Sequence, residues 1–160
     1  MRSLSKNYSL IIGISAYQHI KPLSASVTND ANSIHALITS GSLGLYGSAN
    51  VQYLTDAEAT GAAIRAALNK LATECLTDST VLIYFSGHGA QLLAGDQAGA
   101  YLLPVDVRYG SDEELANTAI SGKEFSEALR QLRSRRVLVI FDCCHSGGIG
   151  ETKSPYGTEV

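Results

Sequence analysis

Short, nearly continuous apolar runs, each separated from the next by a stretch of helical periodicity, constrain this chain more than any other feature. Tyr8–Ile14 (YSLIIGI), Thr80–Phe85 (TVLIYF) and Val137–Phe141 (VLVIF) have the length and content of strands covered on both faces, and Val51–Leu54 adds a further strand. Between them, Asn29–Ser40 places Ala31, Ile34, Leu37 and Ile38 on one helical face, with Gly41 as a stop. Thr60 is placed to cap a helix running to about Cys75, with Ile64, Leu68 and Leu71 on its apolar side. Ser121-Gly-Lys-Glu124 has the form of a capping box, opening a helix that buries Phe125, Ala128, Leu129 and Leu132. Arg130, Arg133, Arg135 and Arg136 at its far end suit a solvated helix C-terminus. A β-α-β-α-β-α-β order predicts an α/β fold, a mostly parallel sheet with helices on both faces. The apolar length of Val137–Phe141 predicts an interior strand.

Composition narrows the function classes. A chain of 160 residues suggests one domain, and 45% hydrophobic with 17% charged residues is an ordinary globular balance. A net charge of −3 argues against nucleic acid or an anionic membrane surface as the main partner. No apolar run approaches the roughly 20 residues of a membrane span. The polar start and the short Tyr8–Ile14 run do not read as a signal peptide. Cys75, Cys143 and Cys144 are odd in number and include an adjacent pair, which speaks against a disulfide scaffold and for a reducing, cytoplasmic setting.

In open parallel sheets ligands bind beyond the carboxyl ends of the strands. Two of those ends are polar and glycine-rich: Ser86-Gly87-His88-Gly89 and Asp142-Cys143-Cys144-His145-Ser146-Gly147-Gly148. A histidine and a cysteine, each at the carboxyl end of a parallel strand, can face each other across the crevice, as a thiol nucleophile and its activating imidazole must. Backbone N–H groups of Gly89 and Cys144 could hold an oxyanion. Two other chemistries compete. Zinc could use Cys143, Cys144, His145 and His88, but adjacent cysteines diverge and no C-x2-C or H-x3-H spacing is present. A phosphate loop over Gly147–Ser154 lacks the required glycine at Thr152, and Pro155 follows at once.

YFSGHG around His88 and FDCCHSGG around Cys144 resemble the paired signatures of caspase-like cysteine peptidases, and the D-x-C-H-S-G form is most similar to metacaspases and their bacterial relatives. SLIIGISAY, VTNDA at Val27–Ala31 and YLLPVD at Tyr101–Asp106 extend the resemblance over nearly the whole chain. The resemblance implies a Cys-His endopeptidase with Cys144, not Cys143, as nucleophile and His88 as its partner. It also implies a pocket for arginine or lysine floored by Asp30 and Asp142, with Ser86 alongside. Two carboxylates in one crevice would pair with a basic side chain. The alternative for Asp30 is a helix N-terminal residue stabilising the dipole. The acidic run linked to calcium activation in many metacaspases is reduced here to Asp96, a poor ligand set for a cation wanting 6–8 oxygens, so no metal or other cofactor is expected. The resemblance further implies that residues 1–160 form the large catalytic subunit, whose partners are a protein or peptide substrate and a small subunit or C-terminal remainder. The rival reading is a catalytically silent caspase-like scaffold or sensor.

Overall fold

The computed structural model of the chain describes residues 7–40 and 50–145, with Cys144 and His145 described by their backbone. Gly41 as a helix stop, the phosphate-loop comparison at 147–154 and the polar tail 151–160 lie outside the described residues. The elements are β1 (Asn7–Gly13), α1 (Ser26–Thr39), β2 (Val51–Thr55), α2 (Gly61–Glu74), β3 (Thr80–Leu92), β4 (Gly99–Leu102), α3 (Asp112–Thr118), β5 (Ile120–Ser121), α4 (Gly122–Gln131) and β6 (Arg136–His145). The expected strands and helices are present, and β4, α3 and β5 are additional.

The sheet is parallel across β2, β1, β3 and β6, and antiparallel where β3 meets β4 and β4 meets β5. Residues Thr80–Ser86 pair with β1 on one edge and with β6 on the other. Beyond the end of β1, β4 takes over the vacated edge of β3 from Gly89 onward.

Helices cover both faces, as expected. On one face α1 buries Ala31 and Ile38 against Ile11, Leu82 and Tyr84. On the other, α2 and α4 enclose a larger core that includes Leu10, Ile12, Ile64, Leu71, Ile83, Phe85 and Phe125. The two predicted caps form: Thr60 accepts from the Ala63 N–H at 3.2 Å and Ser121 from the Glu124 N–H at 3.1 Å. The Glu124 carboxylate itself receives the Arg65 guanidinium, Nε to Oε1 at 2.5 Å, which ties α4 to α2.

Two expectations are corrected. Helix α1 starts at Ser26, so Asp30 lies in its second turn rather than at its N-terminus, and Leu37 is exposed rather than buried. Strands β3 and β6 run on through His88 and Cys144, which therefore sit within paired strands and not in turns after them. Past Phe85 and Phe141 the strands continue as Ser-Gly-His-Gly and Asp-Cys-Cys-His, glycine or largely polar, so the apolar signal stopped before the strands did. Val137, Leu138, Ile140 and Phe141 are 38%, 55%, 38% and 51% exposed. Among the described residues β6 is paired only through β3.

Candidate active site

The site forms where the edge of β3 changes partner. Strand β1 ends at Gly13 opposite Ser86, and β4 begins pairing at Gly89. His88 falls in the gap between them. On the other edge of β3, the register places His88 directly opposite Cys144 and Gly89 opposite His145. Neighbouring strands lie about 4.8 Å apart, so the two backbones are adjacent positions of one ladder. Gly89 is paired on both sides, with Leu102 and His145. Cys143 stands opposite Gly87, half-buried and packed on the larger core.

The loop that follows β1 fills the gap and holds His88. The Tyr17 hydroxyl donates to the Leu103 carbonyl at 3.2 Å and accepts from the His88 N–H at 2.7 Å. The Tyr17 and His88 rings pack with centroids 4.9 Å apart. Gly87 is required for this approach, because a Cβ there would lie 2.7 Å from the Tyr17 hydroxyl oxygen. Burial pushes the Tyr17 phenol well above its ordinary range, which keeps it neutral and able to donate and accept at once. His88 Nε2 lies 3.0 Å from the Lys21 carbonyl. A carbonyl only accepts, so in the neutral ring this contact puts the proton on Nε2 and leaves the Nδ1 lone pair free.

Tyr84, Ser86 and His88 occupy alternate positions of β3 and so share a face. Asp142 stands opposite Ser86, and its Oδ2 accepts from the Tyr84 hydroxyl at 3.2 Å and the Ser86 hydroxyl at 3.4 Å. The Tyr84 phenol is raised, first by burial and further by the charges of Asp142 and Asp30. Asp142 is exposed, and two hydroxyls hold it. The register thus sets Ser86 and His88 of β3 beside Asp142 and the backbone of Cys144 on β6. Tyr17, Tyr84 and the Lys21 carbonyl were not anticipated. Tyr84 was within reach of sequence reasoning, since it lies two residues before Ser86 on the same strand face.

Comparison with known proteins gives a consistent set of similarities. Residues 6–159 match the family described as the caspase domain. The chain is 32% identical to metacaspase-1B of Aspergillus fumigatus over 103 residues, 62% of this chain and 24% of that protein. It is 29% identical to metacaspase-1 of Saccharomyces cerevisiae over 160 residues, 94% of this chain and 36% of that protein. It therefore spans between about a quarter and about a third of the length of these curated relatives. The crystal structure of a protein from Geobacter sulfurreducens shares the fold, with a TM-score of 0.65 at 20% identity over 91% of this chain and 53% of that one.

Proposed function

The chain belongs to the caspase-domain family, and from that membership we propose that it is the catalytic part of a cysteine endopeptidase that cuts after arginine or lysine. The observation that carries the reading is the β3–β6 register, which sets Cys144 beside His88. In the proposed reaction the Cys144 thiolate attacks the scissile carbonyl and His88 takes the thiol proton and returns it to the leaving amine. The Lys21 carbonyl, by holding the Nε2 proton, leaves Nδ1 to do this. The N–H groups of Gly89 and Cys144 are assigned to the oxyanion.

Asp142 and Asp30 are assigned to the basic side chain of the substrate, with Ser86 alongside. The hydroxyls of Tyr84 and Ser86, both donating to one oxygen of Asp142, support that assignment. The exposed apolar side chains of β6 support a second partner, a small subunit or C-terminal remainder that adds a strand beside it. No metal is assigned to the reaction, and a chelator is expected to leave turnover unchanged in the full-length protein.

The test is labelling with a thiol-reactive ketone carrying arginine. Label should attach to Cys144 and be lost in Cys144→Ala and His88→Ala, while Cys143→Ala retains it. An aspartyl probe should label at least about a thousandfold more slowly, because a desolvated like-charge contact costs several kcal/mol. Label that survives Cys144→Ala, or that prefers aspartate, would overturn the assignment.

A further inference from the structure

The loop that grips His88 is itself gripped from the next strand over. Asp56 directly follows β2, the neighbour of β1, and its Oδ1 accepts from the Ser15 N–H at 2.7 Å and the Ala16 N–H at 2.8 Å. The Ser15 hydroxyl donates to the same oxygen at 3.2 Å. Asp56 achieves this with φ of 41°, and among the described residues it is the one non-glycine in the left-handed region. Such a conformation persists where the surroundings over-determine it, and aspartate tolerates it better than most residues. Glycine would adopt it freely but would supply no acceptor.

The clamp closes a ring. The Leu23 N–H returns to the Ser15 carbonyl at 2.8 Å, and the Gln18 N–H reaches the Val105 carbonyl at 3.0 Å. Inside that ring are the two groups that touch His88, the Tyr17 hydroxyl and the Lys21 carbonyl. The path from Asp56 to the imidazole is thus a run of hydrogen bonds and one short loop.

We propose that Asp56 is the positioning residue for His88, fixing the Ser15–Leu23 loop so that the Lys21 carbonyl selects the Nε2–H tautomer of the imidazole. The geometry stands independently of the peptidase reading; its kinetic consequence rests on that reading.

The experiment is histidine 1H–15N NMR on the full chain, with the His88 signals assigned by their loss in His88→Gln and the tautomer read where its own 15N shifts mark the neutral ring. The wild type should show a single Nε2–H tautomer. Asp56→Gly, which accommodates the backbone angle while removing the acceptor, should show averaged tautomers. Asp56→Asn, which keeps an oxygen at the Oδ1 position, should restore the single form. In the active enzyme Asp56→Gly should lower kcat roughly 100-fold with KM nearly unchanged, the scale of effect of misplacing a catalytic group by about 1 Å. An Nδ1–H tautomer in the wild type overturns the proposal at once, whatever the variants do. So does an Asp56→Gly protein with the wild-type tautomer. Tautomer averaging in Asp56→Gly with no Cys144-dependent turnover in the wild type would keep the proposal and overturn the peptidase reading.

Discussion

Tyr17 shows how much a single side chain can join. Its hydroxyl is buried between the Leu103 carbonyl and the His88 N–H, one contact given and one received. That role requires a neutral phenol, and burial raises its pKa accordingly. The sign of the linkage follows. The unfolded chain releases this proton near the ordinary value of 10.0 while the folded chain keeps it. The contribution of Tyr17 is therefore complete below pH 10 and declines as pH rises above it. Alkaline titration of stability should show a steeper loss above pH 10 in the wild type than in Tyr17→Phe, measured by denaturant midpoints. Equal slopes would mean that Tyr17 titrates normally in the fold. Tyr17 was visible in sequence only as the last letter of a strand-like stretch. Its partners lie 71 and 86 residues away, and no local periodicity encodes such contacts.

The elements that sequence patterning revealed are those long enough to carry a period. Strands β1, β2, β3 and β6 and helices α1, α2 and α4 all appear in it, and both predicted serine and threonine caps form. The missed elements are short: β4 has four residues, β5 has two, and α3 has seven with only Leu115 buried. Strands β4 and β5 exist because β3 outlasts β1 and offers an unpaired edge, a tertiary cause with no local trace, whereas α3 carried a signal that was passed over, the Ser111-x-x-Glu114 cap. His88 and Cys144 were legible through their motifs, whereas the clamp at Asp56 was not, because its donors belong to another strand's loop. Close packing between elements also yields a prediction. A Cβ added at Gly13 would lie 2.5 Å from the Ala31 Cβ, so β1 and α1 meet there without room for a methyl. Gly13→Ala should destabilise the fold by about 1–3 kcal/mol. For a domain of this size that lowers the melting temperature by roughly 2–4 °C per kcal/mol. An unchanged melting temperature would show that α1 moves away at no cost.

At the scale of the whole molecule, stability is distributed unevenly. Strand β6 presents Leu138 and Ile140 on the face shared with α1, and an uncovered apolar strand invites pairing with another chain. The 160-residue chain should associate with rising concentration in light scattering, and Leu138→Lys should suppress this. Equal association in the variant would point to a different surface. The two faces of the sheet differ as well. The α2/α4 side holds the large core, while α1 contributes two buried residues and has no side-chain cap at Ala25. Local opening free energies follow the apolar contact each element makes. Amide hydrogen exchange should accordingly be fast along α1 and slow along α2 under the same conditions, with β3 slowest. The carboxylate of Asp30 rides on the faster half and that of Asp142 on the sheet. In the pocket proposed above, breathing of that helix would vary the spacing of the two carboxylates while the strands bearing His88 and Cys144 stay closed.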